Sequence, residues 1–466
     1  MNFLLILLIT LGHLVLHPEF LPRWYQYRPT PGLTAPDGLV LWMIGILVAQ
    51  SVLWALLWSR QKQSTRGLIL AIVISCVALV GSAPLLETDW YRYLWDGIQV
   101  SRGVSPYLNP PAILPWDEYA RIRGGINFPE LATIYPMGAQ WIFAFVALLS
   151  DADPNIFLAL LGLGGFLAVA FAISLLSRRR GVRGSAIALV LFHPLLLREW
   201  IQAAHYDSWM MALVLLALST EGIWTRGLLL GFSVQIKIIS LVVALPEVLS
   251  LSGRQATRLC QGMLLAIGLL VFSGFMLEGF FIFGESARSW QSFTGVWEMN
   301  AGPVRWLREL WMASSGNYDL AREGSRLLMA GAFLAAAGWV SELRRRATRG
   351  DGGSGLEALS QEEGAFVLLF FVTWLSPVFN TWYVTWGLIL LPFLRSNWSI
   401  ALAWGVVPVA FGDFFYILGR TPLFPIERWW DLEHLWISLA VLWALCSKAG
   451  LLQGRADASR GFMKED

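Results

Sequence analysis

The chain has 466 residues, 56% of them hydrophobic and 14% charged, with a mean hydropathy of +0.58. Soluble domains carry about 25% charged residues, so a composition this poor in charge excludes a water-exposed globule. Net charge is +2, from 34 Lys+Arg against 32 Asp+Glu, which gives no bulk basic character and no expectation of a nucleic-acid partner.

Apolar runs, several approaching the roughly 20 residues needed to cross a bilayer, recur along nearly the whole chain. They are continuous and not alternating, which excludes a β-barrel. The fold class expected is all-α: a polytopic transmembrane helical bundle of about 12–14 membrane segments, with interfacial helices in the first outer loop. The first run, Met1 to Leu16, lacks a basic leading region and a small-residue cleavage pattern, so it reads as a retained helix. Further runs cover 38–58, 67–86, 155–176, 185–198, 207–221, 259–277, 326–341, 365–377, 381–395, 398–418 and 433–447. Residues 1–447 therefore read as one integral-membrane domain and 448–466 as a tail. The 25 tryptophans suit membrane–water interfaces. Cys76, Cys260 and Cys446 lie far apart in apolar surroundings, as small core residues and not as a disulfide or metal framework.

Basic residues set the expected orientation, because short cytoplasmic loops collect Lys and Arg. Arg60, Lys62 and Arg66 form one cluster, and Arg178, Arg179, Arg180 and Arg183 another. Arg254 with Arg258, then Arg344, Arg345, Arg346 and Arg349, then Lys448, Arg455, Arg460 and Lys464 complete the set. The expectation is a multi-pass protein of the inner (cytoplasmic) membrane with both termini cytoplasmic. Two stretches resist simple counting. Thr225 to Gly253 is too long for one span yet has basic residues at both ends, with Lys237 near its middle. A broken helix pair resolves it: Gly227 to Gln235 rises, Lys237 stands at the turn, and Ile238 to Leu251 returns. Ala139 to Leu149 begins and ends outside, so it dips into the membrane or lies on its outer face. Gly350 to Gly364 reads as a flexible linker.

The outer side then owns 17–37, 87–137, 198–206, 278–325 and 419–432. The richest segment runs from Glu87 through Asp89-Trp90-Tyr91-Arg92-Tyr93-Leu94-Trp95-Asp96-Gly97 to Pro106-Tyr107, and on to Thr133-Ile134-Tyr135-Pro136. Asp89 to Ser101 has helical character with aromatic residues on several faces. Asp89 and Glu87 are either helix caps, favoured at an N-terminus, or carboxylates held at the surface, one of them a general base for a hydroxyl. Lys237 either snorkels to the surface or faces a wet cavity as a cation for an anionic group. His205 and Asp207 share a turn, which is structural or binds phosphate or sugar hydroxyls; with no further histidine cluster it is poor evidence for metal. Glu199 beside Arg198 is a structural pair or a polar contact. Trp382, Tyr383 and Trp386 are interface anchors or a platform for a sugar ring. Trp297, Glu298 and Asn300 are candidates for contact with an acceptor. His13, His17, His193 and His434 carry no assignment.

The ordered series Asp89-to-Gly97, Pro106-Tyr107, Thr133-to-Pro136, Glu199, His205-Tyr206-Asp207, Lys237 and Asn380-Thr381-Trp382-Tyr383-Val384-Thr385-Trp386 resembles the GT-C glycosyltransferases. Within them it is most similar to bacterial mannosyltransferases that use polyprenyl-phosphate-mannose. The likeness covers about residues 85 to 390 and departs at Met137, where the pattern has a second proline. It implies an outer active site, a lipid-linked donor, inversion at the anomeric carbon, and a glycolipid, polysaccharide or protein acceptor. Asp89 would be the base. Lys237, His205 and Arg92 would meet the donor phosphate, and Glu87, Asp207, Glu199, Tyr135, Trp382, Tyr383 and Asn300 the sugar or acceptor. No cofactor and no obligatory metal are expected, and membrane lipids are the surrounding partner. A lipid or small-molecule transporter or flippase is the rival class, since such proteins also use broken helices. Its ionisable residues would line a path across the bilayer, whereas the acidic residues here gather on the outer side.

Overall fold

The computed structural model describes residues 2–15, 37–60, 64–81, 84, 88–275, 285–295, 297–349, 359–405 and 426–448. Glu87, His17, the linker 350–358, much of the 398–418 run and the tail beyond 448 lie outside the described residues. Every regular element described is helical, and the single isolated bridge pairs Met299 with Val378. The chain is an all-α membrane protein. Among the described residues, three single helices are long and apolar enough to cross a membrane: Pro154–Arg180, Gly253–Gly274 and Tyr318–Arg346.

Local chemistry explains where these helices start and stop. Asp153 caps Pro154–Arg180 by accepting from the Asn155 and Ile156 amides, and Pro154 sits in the first turn, where a missing N–H costs nothing. Three arginines fill its last turn and Gly181 ends it in the left-handed region at φ 64°. A Ser360–Glu363 capping box opens Gln361–Trp374. Gly184–Leu191 and Pro194–Gln202 form an apolar helix pair bent by 57° at its break. Pro194 breaks the backbone ladder there, and Arg198–Gln202 widens into a π-turn.

The expected broken pair around Lys237 is present. Helix Ile223–Ile236 ends where Lys237 adopts extended backbone, at φ −150° and ψ 119°, and a 3-10 turn, Ile238–Ser240, leads into helix Leu241–Ser250. Arg226 on the first arm meets Glu247 on the second at 3.1 Å, so the arms are antiparallel with Lys237 at the tip. Glycines let this hairpin approach its neighbours. A Cβ at Gly227 would stand 2.1 Å from the Leu259 carbonyl, and one at Gly262 2.2 Å from that of Trp224, the small-residue packing common between membrane helices.

Two regions differ from the sequence expectation. The run 381–395 is not one helix but the 3-10 turn Thr381–Tyr383, the short helix Val384–Leu388 and the 3-10 turn Leu391–Phe393. Pro392 and Gly387 oppose a continuous helix there. The segment 278–325, expected as a loop, carries two helices, Glu285–Gly295 and Gly302–Ser315, and the following helix begins early, at Tyr318.

Candidate active site

Helix Asp89–Ser101 begins where expected, with an acidic residue in its first turn. Helical spacing puts Asp89, Arg92, Tyr93 and Asp96 on one face. Arg92 Nε donates to Asp96 Oδ1 at 2.7 Å and Nη1 to the Leu131 carbonyl at 2.9 Å. Gln140 Nε2 donates to Asp96 Oδ2 at 3.1 Å and to Thr133 Oγ1 at 2.9 Å. Asp96, fully buried, therefore ties this helix to the 131–133 strand of loop and to helix Met137–Leu149. That second helix starts directly after Pro136, so Met137 alters no more than its first residue.

Tyr93 leads from that helix to the histidine. Its hydroxyl lies 3.5 Å from His205 Nδ1. On the far side of the ring, His205 Nε2 is 3.3 Å from Glu199 Oε2, while Glu199 Oε1 accepts from Arg198 Nε at 2.8 Å. Trp382 stacks on the imidazole at 4.4 Å and 19°. Ala204, immediately before, holds a left-handed φ of 52°, a conformation a side chain adopts at a cost of roughly 1–2 kcal/mol. The turn thus presents His205 between Tyr93, Glu199 and Trp382. Tyr135 closes the same wall, its ring edge-on to Tyr93, Tyr206 and Phe143.

At the hairpin tip, Lys237 Nζ donates to Asp207 Oδ1 at 2.8 Å. Trp386 Nε1 donates to the same oxygen at 2.6 Å. The rings of Tyr206, Tyr383 and Trp386 surround the ammonium at 5.1, 5.0 and 5.1 Å, close enough for cation–π attraction. Asp207 Oδ2 is buried and has no hydrogen-bonding partner among the described residues. The lysine is therefore faced by rings and a carboxylate, and does not extend into lipid.

Asp89, half-buried, lies within electrostatic reach of His205, Lys237, Asp207 and Arg92. Burial raises its carboxyl above the usual range, the charges of His205, Lys237 and Arg92 oppose the rise, and Asp207 adds to it. Burial, and next the neighbouring tyrosine and Asp89, push the Tyr93 hydroxyl well up. The expected site residues Asp89, Tyr135, Glu199, His205, Asp207, Lys237, Trp382 and Tyr383 are thus brought together from five separate segments. Arg92 is beside them, with Nε on Asp96 and Nη1 on the Leu131 carbonyl, while its buried Nη2 has no hydrogen-bond partner among the described residues. Asn300 is not among them: its side chain donates to Glu433 at 2.8 Å and meets His434 at 2.9 Å. Glu298 is engaged by Arg308 and Arg326. Sequence reasoning gave no role to Asp96, Gln140 and Tyr206, and read Trp386 as an interface anchor or sugar platform, not as a donor to Asp207; burial of their polar atoms is the missing signal. Among the described residues no group of three or more His, Cys, Asp or Glu converges as a metal centre would.

Residues 21–253 match the family described as alpha-(1->6)-mannopyranosyltransferase, N-terminal domain. The chain belongs to this family. It is a mannose-transferring glycosyltransferase. The matched half carries the Asp89 helix, the His205 turn and Lys237, and ends before the Trp382–Trp386 segment that completes the cage. No curated protein and no solved structure matches the chain.

Proposed function

We propose that the protein moves mannose from a polyprenyl-phosphate donor to a hydroxyl acceptor, with inversion, at the extracytoplasmic face of the inner membrane. What supports this reading is the cage that fixes Lys237 on Asp207 and three rings, together with Asp89, a carboxyl raised by burial that lies within electrostatic reach of Lys237 and His205. A base and a leaving-group cation on one space are what a single displacement needs. The acceptor hydroxyl gives its proton to Asp89 as its oxygen bonds to the anomeric carbon. The bond from that carbon to the phosphate oxygen breaks, and its electron pair leaves with the phosphate. Lys237 and His205 balance the charge that develops there.

One displacement leaves no covalent sugar on the enzyme and inverts the anomeric centre. If the product is α-(1→6)-linked, as the family description has it, the donor must be β-linked. Fixed cations beside the phosphate remove the need for a divalent ion. Sidedness is supported by the far end of the bundle, where Arg180, Arg226, Arg344 and Arg345 gather around Glu247, Glu362 and the Leu249 carbonyl. Asp207, which begins the helix Asp207–Ser219, and Asp89 stand at the other end. The family match favours transfer over transport.

Purified protein in detergent, given synthetic polyprenyl-phosphate mannose and envelope glycolipid in the presence of a chelator, should yield an α-linked mannosylated product. Transfer from nucleotide-mannose alone, or loss of transfer on chelation, would overturn the donor or the metal-free part of the reading.

A further inference from the structure

The turn that carries His205 is closed by Glu199. The Glu199 carbonyl accepts from the His205 amide at 3.0 Å, and the Arg198 carbonyl accepts from the Ala203 amide at 2.8 Å. Between them the chain makes the Arg198–Gln202 π-turn and the left-handed Ala204, two irregularities of a kind that gathers at functional sites. Glu199 and His205 also meet through their side chains. Glu199 Oε1 takes Arg198 Nε at 2.8 Å and Nη2 at 2.7 Å, while Oε2 stands at ion-pair distance, 3.3 Å, from His205 Nε2. That nitrogen is buried and finds no other acceptor among the described residues.

Both ring nitrogens of His205 are thus turned on the protein, Nε2 on Glu199 and Nδ1 on the Tyr93 hydroxyl, and Trp382 covers one face. His205 and Glu199 are 1% and 2% exposed, whereas the Lys237 side chain keeps 19% and Asp89 is half-buried. The lysine and the aspartate are therefore the charged groups open to a substrate. A carboxylate only accepts, so the nitrogen that faces it must carry a proton. That leaves Nδ1 for Tyr93, which stands one helical turn after Asp89 on the same face. Against the rise that burial imposes on the Asp89 carboxyl, the charge of His205 is the strongest opponent.

Resting on the transfer reading above, we infer that Glu199 is a positioning residue that acts through His205. Its carboxylate keeps the proton on Nε2 and turns Nδ1 toward Tyr93, and the imidazole then sets the charge that Asp89 feels without touching donor or acceptor. The ionisable groups on the elements around the ring are Arg198 and Glu199 on the π-turn, Asp89, Arg92 and Tyr93 on helix Asp89–Ser101, Tyr206 and Asp207 after His205 itself, Lys237 at the hairpin tip and Tyr383 beside Trp382. Glu199→Gln reverses one contact and keeps the shape. Arg198 donates, so it retains the amide oxygen, and the amide NH₂ is left facing Nε2. Two donors cannot share that contact, so the proton leaves Nε2 and the imidazolium charge is lost.

The experiment compares the wild-type protein with Glu199→Gln, His205→Gln and the double variant, using polyprenyl-phosphate mannose as donor. Glu199→Gln should lower kcat about 10–100-fold, the worth of one charge-assisted hydrogen bond, and leave donor KM within about twofold. The acid limb of kcat/KM should move up in Glu199→Gln and in His205→Gln, and no further in the double variant. A Glu199 that acted on Asp89 by its own negative charge would move the limb down when neutralised. A merely structural Glu199 would leave the limb in place, and a contact to the donor would raise KM. Any of these three results overturns the assignment.

A second measurement needs no turnover and so separates this inference from failure of the donor reading. In protein isotopically labelled on its histidine nitrogens, the His205 signal is the one lost in His205→Gln. It should show a proton on Nε2 in the wild type and none there in Glu199→Gln. A proton on Nδ1 alone in the wild type, or on Nε2 in both proteins, overturns the assignment even if mannose is transferred. Should Glu199→Gln fail to fold, the wild-type signal decides by itself.

Discussion

Lys237 Nζ and Asp207 Oδ1 form a 2.8 Å ion pair whose carboxylate is fully buried. The second donor on that oxygen, the Trp386 indole, holds the carboxylate in place and leaves its other oxygen bare. Asp207 is therefore better suited to aim the lysine, and to accept from a sugar hydroxyl, than to act as the base.

Lys237→Met removes the cation and strands a buried carboxylate. Breaking a buried pair from one side costs about 3–5 kcal/mol, and loss of one charge-stabilising group typically lowers kcat by about 10²–10³. The double variant Lys237→Met/Asp207→Asn separates the two effects. Its thermal midpoint in detergent should recover most of the loss, while transfer stays at the level of the single variant. Recovery of activity together with stability would show that the lysine only packs the fold.

Asp89→Asn should lower transfer by about 10²–10⁴, the usual range for a general base. Its effect on stability has the opposite sign. A carboxyl raised in the folded state contributes most when protonated, and that contribution is lost as pH rises through its folded value. At neutral pH the neutral amide should therefore leave the thermal midpoint unchanged or higher. The acid limb of kcat/KM should fall above the ordinary carboxylate range of about 3.9. Asp207→Asn removes a charge that raises Asp89 and should move the limb down; residual activity of Lys237→Met should show it moved up. A limb that ignores both substitutions belongs to another group.

Glu247 anchors the opposite end. It meets Arg344 at 2.6 Å and Arg226 at 3.1 Å, and accepts from Gln361 at 3.0 Å. Glu247→Ala would leave the buried Arg344 and the half-buried Arg226 without their shared carboxylate, a loss of about 3–5 kcal/mol. Because the cluster is remote from Asp89, kcat per folded molecule should hold while the thermal midpoint drops. A fall in kcat with unaltered stability would place this network in the catalytic cycle.

The parts legible in the sequence share one trait: a residue whose chemistry conflicts with its surroundings. An aspartate opening an aromatic helix marked Asp89–Ser101, and a lysine inside an apolar stretch marked the break at Lys237. The 381–393 segment was illegible because apolar composition looks the same in a span and in a chain of short turns. Trp382 is quoted in a motif, yet nothing near it in sequence says that it stacks on His205. Asn300 looked free for an acceptor, and only the fold brings Glu433 and His434 to its side chain. Pairings between distant segments are set by packing, and periodicity does not encode them.

Gly138 tests how closely the site depends on that packing. A Cβ at this position would stand 2.6 Å from the Gln235 carbonyl oxygen and 2.8 Å from its carbon. Both are backbone atoms two residues before Lys237, so no side-chain rotation relieves the clash. Gly138→Ala must push helix Met137–Leu149 and the hairpin tip apart, at about 1–3 kcal/mol, and should raise KM for the donor as Lys237 shifts against Asp207 and its rings. Gly268→Ala is the control, since a Cβ there meets nothing within 4 Å and alanine favours the helix by up to about 1 kcal/mol. Kinetics and thermal midpoints of the two variants should diverge, Gly268→Ala keeping both wild-type values or gaining stability. If Gly138→Ala keeps its donor KM, the cage does not depend on this close approach, and Lys237 is held by Asp207 and the aromatic rings alone.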